Sequence, residues 1–269
     1  MPSEGDRTAL SRYDVRMVEY EVQGHIAILT LNRPEARNAV NGELAQAMDA
    51  CIERMENDPD VWVGVLAANG PVFCAGADLK AINAGKAGEL ATARGGFGGF
   101  TEWPRRKPVI AAVDGLATAG GCEIALAADM IVASTNAAFG LAEVKRNLVA
   151  AAGGLYRLPK LIGKNVALEV ALTAVPLTAD RAYQLGLVNR VTESGKALEG
   201  ALELANQIAA NAPLSVWESR ALIIAADWDD EATIKRTTTE AFARILGSED
   251  TKEGLAAFIE KRTPEWKGR

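Results

Sequence analysis

Two glutamates and two glycine-containing segments are the residues here whose types and spacing suit catalysis. Glu123 lies three residues beyond Gly120 in AGGCEIALAAD (Ala119–Asp129), inside the first turn of a helix-like segment, where the helix dipole stabilises an anion. Glu143 lies in AAFGLAEVKRN, just after a strand-like stretch and among mostly apolar neighbours. Desolvation at such a place raises a carboxyl pKa and lets the group carry a proton near neutral pH. Two carboxyls in unlike settings form an acid/base pair; the plain alternative is two surface carboxylates at helix ends. The glycine-containing segments PVFCAGADLK (Pro71–Lys80) and AGGCEIALAAD each follow a strand-like run. Small residues let a ligand approach the main chain closely, and the first turn of a helix presents unpaired N–H groups. Side by side, two such segments would aim two backbone amides at one oxygen, the arrangement that stabilises charge developing on a carbonyl. The same glycines would also serve tight strand-to-helix turns.

Other chemistry is excluded by what the chain lacks. His25 is the only histidine, so HExxH and three-histidine zinc sites cannot form, and no GxSxG accompanies it for a serine triad. Gly115 and Gly120 have P-loop spacing, but Gly121 and Cys122 stand where lysine and serine or threonine belong. No GxGxxG follows the first strand, so a dinucleotide site has no support. Cys51, Cys74 and Cys122 are odd in number and far apart, which reads as reduced thiols in a cytoplasmic protein. The chain carries 29 basic against 35 acidic residues, a net −6, which is the wrong balance for a nucleic-acid partner. No apolar stretch approaches the roughly 18 residues of a membrane span, and the acidic, polar start MPSEGDRTALSRYDV resembles no signal peptide.

These residues need elements to position them. Strand-like runs at His25–Asn32, Val61–Ala67, Pro108–Val113 and Met130–Ser134 alternate with helical patterns. One of these patterns is Leu44, Ala47, Met48, Cys51, Ile52 and Met55, with Asn41 placed to cap it. Such alternation predicts βαβ units and a largely parallel, covered sheet. After about residue 160 the pattern turns helical: Lys164–Thr173, Thr178–Leu185, Ala197–Ala210, Leu214–Ala226 and Ala232–Leu246, with a strand-like break at Leu187–Val191. A last helix is expected after Asp250, with Glu253 completing a capping box. The glycines of Gly95–Gly99 read as a flexible loop.

At these residues the chain resembles the crotonase (enoyl-CoA hydratase/isomerase) superfamily, from about Val18 to the C-terminus. The resemblance rests on LNRPEARNAVN (Leu31–Asn41), FCAGADLK (Phe73–Lys80), GLATAGGCEIALAADMIVAS (Gly115–Ser134), FGLAEVKRNL (Phe139–Leu148), GGLYRLPKLIG (Gly153–Gly163) and the terminal SEDTKEGLAAFIEKRTPEWKGR. It implies an α/β fold with a ββα-spiral core over 18–200, after a polar tail at 1–17. A helical region over 201–269 would make trimers or dimers of trimers. It places the two oxyanion amides on Ala77 and Gly120, and the two hydratase glutamates on Glu123 and Glu143, at the family's separation. Coenzyme A contacts are implied at Ala36, Arg37, Ala75, Gly76, Asp78, Leu79, Lys80 and Gly121. Lys261 is implied to reach a coenzyme A phosphate, often on a neighbouring subunit.

The resemblance implies water addition to a trans-2-enoyl-CoA thioester, with Glu143 delivering the α-proton and Glu123 activating the water. It implies no metal and no cofactor beyond the coenzyme A of the substrate. A Δ3,Δ2-enoyl-CoA isomerase and a non-catalytic coenzyme A binder are the alternatives. Where many hydratases have a Pro-Gly pair, this chain has Val149-Ala150-Ala151-Ala152, which puts the shape of the acyl wall in question. Gly85–Arg105, with Phe97, Phe100 and Trp103, matches the family's variable acyl-lining region.

Overall fold

The computed structural model describes residues 17–269, so the tail expected over 1–17 lies outside them except for Met17. Strands β1 (Val18–Gln23), β2 (Ile26–Leu31), β3 (Val63–Ala68), β6 (Val109–Val113), β8 (Met130–Ser134) and β11 (Arg190–Thr192) form a six-stranded sheet in the order β1-β2-β3-β6-β8-β11. Only β1 runs antiparallel to its neighbour. Alternate side chains go to opposite faces, and both faces are covered. Ala27, Leu29, Ala111 and Val113 share one buried core with the apolar stripe of α1 (Gly42–Asn57), whose Leu44, Met48, Cys51, Ile52 and Met55 are all buried. Ile28, Val65, Ile110 and Val132 face α7 (Ala197–Ala209) and Trp217. This two-sided burial explains the unbroken apolar runs of the sequence. Asn41 caps α1 as expected, its side chain accepting from the Leu44 N–H.

A second sheet of three short strands, β10-β9-β7, is formed by β7 (Leu116–Thr118), β9 (Ala138–Gly140) and β10 (Leu177–Thr178). Between them come α3 (Gly120–Ala127) and β8; α2 (Leu79–Asn83) lies earlier in the chain, and α4 (Gly154–Ile162), α5 (Lys164–Thr173) and α6 (Ala179–Gln184) follow β9. Position 200 falls inside α7, whose Gly200, Ala201 and Ala205 pack that helix onto the sheet. The outer helical layer is therefore α8 (Pro213–Ala225), α9 (Glu231–Leu246) and α10 (Glu249–Glu260).

Two local expectations are corrected. Helix α10 is capped by Ser248, which accepts from the Thr251 N–H; Asp250 sits buried inside its first turn and binds the N–H groups of Lys267 and Gly268. The capping box fails because Ser248 competes two residues upstream. The Gly95–Gly99 segment is not a loose loop. It carries β5 (Gly96–Phe97), the second strand of a hairpin with β4 (Ala91–Thr92), and the hairpin is pinned to α1 by Asp49, which accepts from Thr92 Oγ1, Arg94 Nη2 and Trp103 Nε1. Gly99 seats directly on the Ala45 carbonyl, where a side chain would not fit.

Candidate active site

The site is assembled at the ends of two paired strands. β7 and β9 run parallel, with Thr118 opposite Gly140. β7 leads into Gly120 and Glu123 on α3, and β9 leads into Glu143 at the start of a 3-10 turn (Glu143–Arg146). The twenty positions from Glu123 to Glu143 take in the rest of α3, then β8 and β9. Both carboxyls line one cleft of about 990 Å³.

The backbone donors have a structural cause. Val40 pairs with the 76–78 segment: its N–H donates to Gly76 O at 2.7 Å and its carbonyl accepts from Asp78 N at 2.8 Å. Extended backbone alternates its polar groups, so the Ala77 N–H points to the other side, toward the cleft. Ala119 has φ 51°, an unfavourable value for a residue with a β-carbon, and it turns the chain from β7 into α3. Gly120 then opens the helix with an N–H that no intrahelical carbonyl reaches. Among the described residues, neither the Ala77 nor the Gly120 N–H has an acceptor. Gly76 (φ 87°) presses on this second segment: a β-carbon there would lie 2.8 Å from Gly120 N and 2.9 Å from Ala119 Cβ.

Glu123 is 3 % exposed and its Oε1 accepts from Gly154 N at 2.9 Å. Burial pushes its pKa up to about 7; the Glu143 charge adds to this, while the Gly154 and Ala152 N–H groups and Arg157 oppose it. Glu143 is half-buried, its pKa is also raised by burial, and its Oε2 is enclosed without a hydrogen-bond partner. Burial thus favours the protonated form of both carboxyls. Cys122, one residue from Glu123, is fully enclosed and its thiol is pushed up by burial, so it is no nucleophile.

Of the other expected contacts, Ala36, Arg37, Ala75, Asp78, Leu79 and Lys80 line the same cleft. Gly121 does not; it is buried against the Cys74 carbonyl and lets α3 approach that segment. Lys261 ends α10 in the left-handed conformation, exposed, and does not line this chain's cleft. Of the three aromatics expected at the acyl wall only Phe97 lines the cleft. Phe100 is buried beneath the Arg105 guanidinium, and Trp103 faces a separate cavity of about 890 Å³. Among the described residues no group of three His, Cys, Asp or Glu side chains is placed to hold a metal.

Sequence reasoning missed the residues that hold this geometry. Arg33 pairs with Asp78 at 2.7 Å and donates to Ala39 O, and Asp78 in turn caps α2 through the Lys80 N–H. Asn38, fully buried with φ 54°, accepts from Arg33 N and donates to the Asn69 and Val72 carbonyls. The tolerance of asparagine for left-handed backbone was the available signal.

The profile of the enoyl-CoA hydratase/isomerase family matches residues 21–269. The chain belongs to that family. The mevalonyl-coenzyme A hydratase SIDH of Beauveria bassiana (strain ARSEF 2860) is 41 % identical over 259 residues, covering 91 % of this chain and 92 % of that protein. The carnitinyl-CoA dehydratase of Proteus mirabilis (strain HI4320) is 39 % identical over 253 residues, covering 92 % and 97 %. The crystal structure of an enoyl-CoA hydratase from Mycobacterium tuberculosis H37Rv superposes with a TM-score of 0.91 at 43 % identity, over 94 % of this chain and all of that one. The crotonase fold expected from the motifs is therefore the fold of this chain, and its family relatives are hydro-lyases by name.

Proposed function

We propose that this chain adds water across the 2,3 double bond of a trans-2-enoyl-CoA thioester. The observation that carries this is the pairing of two carboxyls of raised pKa with two acceptor-free backbone amides in one cleft. The thioester oxygen would lie between the Ala77 and Gly120 N–H groups. Glu123, ionised and oriented by Gly154, takes a proton from water as the water oxygen bonds to Cβ. The displaced π electrons move through Cα to the thioester oxygen, where the two amides stabilise the charge. Collapse of that enolate takes a proton from Glu143 onto Cα, and the two carboxyls regain their starting states by proton exchange. Removing one donor of such a hole costs about 3–4 kcal/mol of transition-state stabilisation.

Arg37, Lys80, Lys145 and Arg146 line the cleft and suit the phosphates of coenzyme A. The names of the relatives favour a short or β-branched, polar acyl group over a long alkyl chain. A cytoplasmic homo-oligomer built on trimers is the assembly we propose. It is supported by Phe242, Phe258 and Ile259, which stand 67 %, 84 % and 78 % exposed on the outer helices.

The test is turnover of crotonyl-CoA, crotonobetainyl-CoA and a 3-enoyl-CoA by the wild type, Glu123→Gln and Glu143→Gln. General acid–base groups supply about 10²–10⁴-fold, so each substitution should lower hydration kcat by that order. The double variant should fall far short of the product of the two losses. Preference for the 3-enoyl substrate with damage from Glu143→Gln alone would replace hydratase by isomerase. Binding of these thioesters with no turnover of any of them, by the wild type and both variants alike, would leave a coenzyme A binder.

A further inference from the structure

Glu123 is held by a loop that has little to hold it. Among the described residues no backbone N–H from Val149 to Ala152 donates to a backbone carbonyl, and Val149 is 69 % exposed. The segment Val149-Ala150-Ala151-Ala152 has no proline to stiffen it. Yet the N–H groups of Ala152 and Gly154 are the hydrogen-bond donors that face the Glu123 carboxyl.

One side chain spans this loop. Arg157, one turn into α4, donates from Nη1 to the Ala152 carbonyl at 3.0 Å and from Nη2 to the Thr101 carbonyl at 2.6 Å. Gly153 lies directly under the guanidinium, where a β-carbon would collide with Nη1. Thr101 is 3 % exposed and closes the segment that begins with β5, whose Phe97 lines the cleft. A planar guanidinium can bridge two carbonyls in fixed directions; an ammonium cannot.

We propose that Arg157 is a positioning residue for Glu123, fixing the Ala152–Gly154 donors and joining them to the segment that carries the acyl wall. The proposal rests on Glu123 being the base in the reading above. The charged and titratable groups facing Glu123 are Glu143 from the 3-10 turn, Arg157 from α4 and the Cys122 thiol on its own helix. Of these Arg157 is the one cation. Its removal takes away both a favourable charge and the order of the donors, and both effects favour the protonated carboxyl.

The experiment compares Arg157→Gln and Arg157→Lys with the wild type, reading kcat and KM for crotonyl-CoA across pH. The Glu123 carboxyl is followed in parallel by isotope-edited infrared or carbon-13 titration. Arg157→Gln should lower kcat on the order of 10- to 100-fold with KM little changed. Its acidic limb, and the Glu123 titration, should move up by roughly half to one pH unit. Arg157→Lys should return most of the titration and little of kcat, since it restores the charge without the bridge. A Glu123 titration unmoved in both variants, or a loss confined to KM, overturns the proposal and leaves Arg157 a structural tie. If Glu123→Gln keeps full hydratase activity, it is the assignment of the base that fails. Should Arg157→Gln not fold, the split between charge and bridge in Arg157→Lys decides alone.

Discussion

A β-carbon on Gly76 would lie 2.8 Å from the Gly120 nitrogen, so the two segments bearing the acceptor-free amides meet main chain to main chain. Their separation is set by this contact rather than by side-chain packing. That makes the spacing of the two amides sensitive to a single methyl group.

Gly76→Ala should test this directly. Gly76 has φ 87°, where a β-carbon costs about 1–2 kcal/mol, and the added methyl would drive Ala77 and Gly120 apart. Loss of one donor in such a site lowers kcat by about 10²–10³, and a loss of that order is expected with the far-UV circular dichroism unchanged. Steady-state hydration that stays within a few-fold of wild type would remove the two amides from the mechanism.

How far the sequence revealed this site depended on the reach of the interactions. The glutamates, Gly120 and the Phe73–Lys80 segment were legible as candidates because they lie in local motifs, and the covered sheet because its strands are apolar on both faces. What closes the site is non-local: Arg33 meets Asp78 across 45 positions and Arg157 meets Thr101 across 56. The short strands β7, β9 and β10, of two or three residues each, are too brief for any hydrophobic period to show. The glycine cluster misled for a related reason. Glycine marks either freedom or close approach, and only the partner, here the Ala45 carbonyl, tells which.

Gly99→Ala follows from that correction. Its β-carbon would strike the Ala45 carbonyl and lie 2.8 Å from Asp49 N, at φ 66°. Overpacking of a fixed contact costs about 1–3 kcal/mol, so the urea midpoint should drop with an unchanged m-value. A truly loose segment would absorb the methyl with no change in the midpoint.

The outer helices should govern assembly. Phe258 and Ile259 stand side by side at the end of α10, each more than three-quarters exposed, which is a large apolar surface to leave in water. Light scattering should give a mass three or six times 28.4 kDa for the wild type. Phe258→Glu should shift it toward the single chain, since a charge in the centre of an interface is left unpaired. A wild type that runs as a single chain at micromolar concentration would end the trimer proposal.

Glu123 should also reveal itself in stability, with a sign opposite to that of an ordinary paired carboxylate. Its pKa is ordinarily 4.5 and stands at about 7 in the folded chain, raised chiefly by burial. Below pH 4.5 both folded and unfolded chains hold the proton, and the carboxyl carries no penalty. As pH rises through the window from 4.5 to about 7 the unfolded chain ionises first, so stability falls, and above it the loss is constant. At about 1.4 kcal/mol per pH unit the full loss is about 3 kcal/mol. Glu123→Gln keeps the volume and an oxygen to accept from Gly154 but cannot ionise. It should therefore be about 1–3 kcal/mol more stable than the wild type at pH 8 and nearly equal to it at pH 4.5, by urea unfolding at the two pH values. A gain in stability with a loss of turnover is the signature of a group kept for chemistry against the preference of the fold. If Glu123→Gln is the less stable protein at pH 8, the ionised carboxylate is held favourably by its neighbours and burial does not set its proton affinity.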